Sequence, residues 1–112
     1  MPEIEQARQR LEAQLAELED RRSRIERDLS EPGDPDSSER AVQMEDDEAL
    51  ERQAALVAQE VASVRRALDR IGDGSYGACV QCGTAISAPR LEARPEAALC
   101  IDCANKLQAP LR

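Results

Sequence analysis

The chain contains no phenylalanine, no tryptophan and no histidine, and Tyr76 is the sole aromatic among its 112 residues. Large rings dominate most compact cores, so their absence excludes a thick globular core. Without imidazole the usual general base near neutral pH is missing, as are histidine metal sites. Positive charge is in short supply: 15 lysines and arginines face 23 acids, a net charge of −8. That excess argues against a surface that wraps nucleic acid or anionic lipid, and no direct sequence-specific DNA binding is expected. Long apolar runs are missing too; nothing approaches the ~18 residues of a membrane helix, so no membrane partner is expected. The first eight residues, Met1-Pro2-Glu3-Ile4-Glu5-Gln6-Ala7-Arg8, lack the apolar stretch of a secretory leader. A cytoplasmic location follows, where thiols stay reduced.

What the chain does have is helical periodicity. Ile4, Leu11, Leu18 and Ile25 recur every seven residues, and no glycine falls between Glu3 and Leu29. Leu15 and Leu29 take the complementary seam position, which Arg8 and Arg22 interrupt. A seam two residues wide is the pattern of a coiled coil. Ser30-Glu31-Pro32-Gly33-Asp34-Pro35 then stops the helix and turns the chain. A second helix is expected from about Pro35 or Asp36 to Ile71, with Leu50, Val57, Val64 and Ile71 on one seam position and Ala54, Val61 and Leu68 on the other.

Folding the second helix back on the first pairs Leu18 with Leu50, Leu11 with Val57, Ile4 with Val64 and Leu15 with Ala54. The same register sets Arg22 against Asp47, so the polar interruptions coincide. The competing arrangement is an intermolecular coiled coil of two extended chains. The matched register and the Pro-Gly-Pro break favour an intramolecular hairpin, and a monomer is expected.

Four cysteines follow as two C-x-x-C knuckles, Cys79-Val80-Gln81-Cys82 and Cys100-Ile101-Asp102-Cys103. Each knuckle lets two thiolates reach one ion at about 2.3 Å, the requirement of tetrahedral Zn²⁺, and Gly83 supplies a tight turn after the first. Four sulfurs close the coordination shell and leave no place for a catalytic water. A disulfide pair, an iron–sulfur cluster and a thioredoxin-like redox site are the alternatives; each lacks a supporting feature here. The module's large apolar residues are few, so metal has to supply much of its folding energy. The expected fold is therefore mainly α: an antiparallel coiled-coil hairpin over residues 1–71, with its tip at about 30–41, and a four-Cys zinc finger with a short C-terminal helix over 72–112.

Charge is unevenly placed. Residues 72–112 carry four acids and four bases, whereas residues 28–48 hold nine acids and only Arg40, a local net of −8. Capping accounts for part of this: Asp34 precedes Pro35, and Asp36 and Glu39 resemble a capping pair. Glu45-Asp46-Asp47-Glu48 lies two turns further in, where the helix dipole has faded. An acidic hairpin tip reads as a probe for a basic or metal-bearing site on a partner.

The run Gly74-Ser75-Tyr76-Gly77-Ala78-Cys79-Val80-Gln81-Cys82-Gly83, then Ile86, then Arg90-Leu91-Glu92-Ala93-Arg94-Pro95 before Cys100-Ile101-Asp102-Cys103, resembles the zinc-finger signature of the bacterial DksA/TraR family of transcription regulators. The hairpin resembles that family's coiled coil in length and position. The resemblance implies a non-enzymatic factor that binds RNA polymerase directly, with the coiled coil entering the secondary channel and the finger and hairpin base at its rim. It also implies that the tip approaches the catalytic region and shortens the life of promoter complexes. At the tip the family has Asp-x-x-Asp-x-Ala; the corresponding stretch here is Asp36-Ser37-Ser38-Glu39-Arg40-Ala41. Asp36, Glu39 and Ala41 are then the residues that face the polymerase active site, with glutamate keeping the charge and adding one methylene.

Fuller members of the family carry a further N-terminal helical segment and a longer C-terminal helix. Members that respond to the alarmone ppGpp use basic side chains where this chain has Leu56, Ser63 and Ala104, so little dependence on ppGpp is expected. Two rival readings remain at this stage: a secondary-channel factor that stimulates transcript cleavage, and a zinc ribbon that binds nucleic acid. Oxidation of the zinc thiolates would be an added role.

Overall fold

The computed structural model describes the backbone of residues 2–30 and 37–108, and the side chains of residues 3–29 and 46–107. Four helices follow in order: α1 (Pro2–Ser30), α2 (Ser37–Asp73), α3 (Ala88–Ala93) and α4 (Ile101–Gln108). Pro2 sits at the start of α1, where its fixed φ costs nothing, and Glu3 and Glu5 follow in the first turn. Arg27 and Arg70 lie in the last turns of α1 and α2, where cations suit the helix dipole. The two long helices pack as a hairpin. No helix among the described residues is long and apolar enough to cross a membrane.

The chain divides into two compact units: Met1–Gln14 with Ser63–Arg112, and Leu15–Ala62. Among its described residues, the second contains only parts of α1 and α2. Leu18, Ile25, Val57 and Val61 are buried there, and Leu15, Leu50 and Ala54 are half-buried. Arg22 was expected against Asp47 across the seam. Its guanidinium is exposed and pairs along its own helix, with Nε 3.2 Å from Glu26 Oε1. A partner one turn away satisfies the charge in water, without the desolvation that a seam position demands.

The first unit joins the open end of the hairpin to the cysteine module. Leu11 and Val64 are its largest fully buried side chains, with Ala7, Ala67 and Ile71 buried beside them on the helices. Ala7 and Ala67 lie one residue outside the two-residue seam, so the buried stripe widens in this unit. Ala7 shares a cleft with Tyr76, Ile86 and Leu91 of the module.

α2 continues two residues past Ile71, so Gly72 is helical. Gly74 makes the turn, with φ 84°. Ser75 N and Tyr76 N both donate to Arg70 O, at 2.9 and 3.1 Å, and the Asp73 carboxylate accepts from the Ser75 amide and hydroxyl. Those two bonds hold the Asp73 carboxyl below its usual range. The short α3 was not expected from the sequence. Ser87 caps it, accepting from Arg90 N at 3.4 Å, and proline stands in its first turn.

Candidate metal centre

The first knuckle is built by a short loop folded back on itself. Ala78 and Ala85 form an antiparallel bridge, and Ile86 N donates to Gly77 O at 2.7 Å. Cys79 N donates to Thr84 O at 2.8 Å and Gly83 N to Cys79 O at 2.9 Å, with Gly83 at φ 80°. That positive φ is what lets the chain reverse directly after Cys82. The second knuckle opens α4: Cys103 N points at Cys100 Sγ, 3.5 Å away, and Ala104 N donates to Cys100 O at 2.9 Å. Val80 N donates to Ala98 O at 2.9 Å and ties the two knuckles together.

The four sulfurs, Cys79, Cys82, Cys100 and Cys103, all lie within 4.8 Å of one another. All four cysteines are free of disulfides. Four sulfurs at about 2.3 Å from a tetrahedral ion would stand about 3.8 Å apart. Cys82 Sγ and Cys100 Sγ are 3.7 Å apart, at that spacing, and the widest pair has to close from no more than 4.8 Å. Cys79 and Cys103 are buried with Ile86, and Leu91 and Leu99 pack against them; Cys82 is exposed.

Proton affinities diverge within the cluster. Backbone N–H donors, led by that of Cys100, draw the Cys79 thiol down to about 6. The Thr84 hydroxyl leads the groups that lower Cys82. The adjoining Cys100 sulfur, with burial second, pushes Cys103 up to about 12. Sulfurs this close cannot all ionise unless a cation neutralises them, and a divalent ion removes that conflict. The residues present therefore fit a zinc centre of four thiolates, and a bound ion would tie the two knuckles into one module.

Four side chains hold the segment that leads into the second knuckle, each by a backbone carbonyl. Arg10 Nη2 donates to Glu92 O at 2.6 Å, Tyr76 Oη to Pro95 O at 2.8 Å and Arg90 Nε to Leu99 O at 2.9 Å. Arg70 Nη2 reaches Glu96 O at a longer 3.5 Å. Burial and the nearby Arg66 lower the Arg70 guanidinium, and burial raises the Tyr76 phenol. Sequence reasoning had not assigned these four residues to positioning the module. The partial signals were an arginine in the last turn of α2 and a lone tyrosine just past its end.

Of the tip residues, Asp36 lies outside the described residues. Glu39 and Ala41 fall on the α2 backbone, with side chains outside the described set. Within the acidic run further along, Asp46 and Glu48 are exposed and Asp47 is half-buried. Leu56 is exposed, and Ser63 and Ala104 are half-buried, so no cation stands at the three places where ppGpp-responsive relatives were expected to have one.

Two family descriptions match the chain in tandem. "DnaK suppressor protein-like, N-terminal domain" covers residues 8–71, and "Prokaryotic dksA/traR C4-type zinc finger" covers residues 74–109. The RNA polymerase-binding transcription factor DksA of Escherichia coli K12 is 38% identical over 69 residues, which are 62% of this chain and 46% of that protein. The DksA of Haemophilus influenzae is 36% identical over 69 residues, 62% of this chain and 48% of that protein. The chain thus spans about half the length of the curated relatives it matches. Transcription factor DksA2 from Pseudomonas aeruginosa superposes with a TM-score of 0.84 at 28% identity, covering 96% of this chain and 84% of that one. The solution structure of DnaK suppressor protein from Agrobacterium tumefaciens C58 gives 0.65 at 36% identity, with 92% of each chain covered.

Proposed function

This chain belongs to the prokaryotic DksA/TraR family of C4-type zinc-finger proteins, and from that premise we propose that it is a non-enzymatic transcription regulator that binds RNA polymerase directly. The observation that carries the reading is the joint one: the hairpin and the four-cysteine module of this chain match in tandem, and the curated relatives that align with 62% of it are RNA polymerase-binding transcription factors. Charge supports a protein partner. The module's acids and bases cancel, and nucleic acid binding would call for a basic face or stacking aromatics.

In this reading the module and the open end of the hairpin seat on the rim of the polymerase secondary channel in the cytoplasm, as a monomer. The hairpin carries its acidic tip inward. Asp36 and Glu39 engage basic groups or the Mg²⁺ environment of the active centre, Ala41 lets the tip approach closely, and open promoter complexes become shorter-lived. Zinc supplies rigidity, and Cys79, Cys82, Cys100 and Cys103 hold it. With Leu56, Ser63 and Ala104 in place of cations, ppGpp adds little.

The test is promoter-complex lifetime at a ribosomal RNA promoter. Wild-type protein should shorten it, with or without ppGpp. The double variant Asp36→Asn, Glu39→Gln should leave it unchanged while still binding polymerase. An equally active double variant would remove the tip from the account, and a large enhancement by ppGpp would remove the alarmone-independent part.

A further inference from the structure

Cys82 is the most exposed of the four zinc-ligand candidates, and its sulfur lies 2.9 Å from Thr84 Oγ1. A cysteine that holds zinc is a thiolate with no proton to give, so in the loaded centre the hydroxyl is the donor. We propose that Thr84 belongs to the metal centre, where its hydroxyl bonds to the Cys82 sulfur and restrains the reactivity of the most solvent-exposed ligand.

The surrounding backbone holds Thr84 in that role. Its carbonyl accepts from Cys79 N at 2.8 Å, and the Gly83 turn and the Ala78–Ala85 bridge close the loop on either side. Threonine is branched at Cβ, so few rotamers compete with the one that faces the sulfur. The hydroxyl withdraws electron density from the thiolate without displacing it, as outer-shell donors do at metal centres. Cys79 and Cys103 are shielded by packing around Ile86. Cys82 has no such cover, and the Thr84 hydrogen bond does chemically for it what burial does for the other two.

The inference rests on the zinc reading, and the experiment separates the two. Zinc content is measured first, on the full chain; a wild type without about one zinc per chain would sink the zinc reading itself. Zinc-loaded wild type, Thr84→Val and Thr84→Ser are then treated with excess N-ethylmaleimide, and zinc release is followed with a chromophoric chelator. Valine keeps the shape and removes the donor; serine keeps the donor. Thr84→Val should release zinc roughly three- to tenfold faster, the factor that the net worth of one hydrogen bond corresponds to. Thr84→Ser should stay near wild type, and mass spectrometry should find Cys82 alkylated first. Thr84→Ala is the second donorless variant, for the case in which valine disturbs the loop. With Co²⁺ in place of zinc, the thiolate-to-metal charge-transfer band should move to lower energy in the donorless variants and return with serine. Equal release rates, an unmoved band, or serine behaving like valine would overturn the proposal.

Discussion

Removing the metal is the perturbation with the most sharply bounded outcome. Structural zinc contributes on the order of 10 kcal/mol or more at neutral pH. Among the described residues, the apolar cluster around the sulfurs has only Ile86, Leu91 and Leu99 besides cysteines. Each such side chain is worth about 1.5–3 kcal/mol when fully buried, and two of these three are only partly buried. That cluster cannot replace the metal. The helices α1 and α2 contain 29 and 37 residues, whereas α3 and α4 contain 6 and 8. If chelation melts the module and spares the hairpin, 14 of these 80 helical residues are lost, about one-sixth of the far-UV signal at 222 nm. The near-UV signal of Tyr76 should disappear with them, because its bond to Pro95 O belongs to the folded module. Circular dichroism before and after chelation, with the released zinc counted, measures both. A loss of about half the 222 nm signal would mean that the whole first compact unit, helix ends included, unfolds together. No loss at all would mean that the module stands without metal. Either result refutes the reasoning.

Tyr76→Phe removes the hydroxyl donor to Pro95 O and should cost about 1 kcal/mol, read as a lower denaturation midpoint of the zinc-loaded protein. Burial raises the Tyr76 phenol above 10, so its contribution to stability is complete below pH 10 and is lost as pH rises through the folded value. As the only aromatic, it can be titrated alone at 295 nm; the midpoint should lie above 10 with zinc and return to about 10 after chelation. Leu11→Ala empties the most tightly enclosed position on α1 and should cost about 2–5 kcal/mol in urea unfolding, while zinc content stays unchanged.

The parts that could be read from the sequence are those in which residue type repeats or clusters. Leu11, Leu18 and Ile25, and Val57, Val64 and Ile71, are buried at their seven-residue spacing, and the two knuckles meet at one point. What escaped notice depends on tertiary contact. Arg10, Arg70, Arg90 and Tyr76 all donate to main-chain carbonyls, and a carbonyl looks the same at every residue, so no partner pattern marks them. Ala7 and Ala67 fit no two-position seam, because small residues are selected by what packs over them rather than by their own hydrophobicity.

The central claim is that this hairpin and zinc module form a polymerase-binding regulator whose acidic tip acts after docking. Its most direct test is the equilibrium affinity of the zinc-loaded protein for core RNA polymerase, measured beside that of Asp36→Asn, Glu39→Gln. Both proteins should bind specifically, with affinities alike within a few fold and a promoter effect only in the wild type. An absence of binding to core polymerase by the wild-type protein would contradict it.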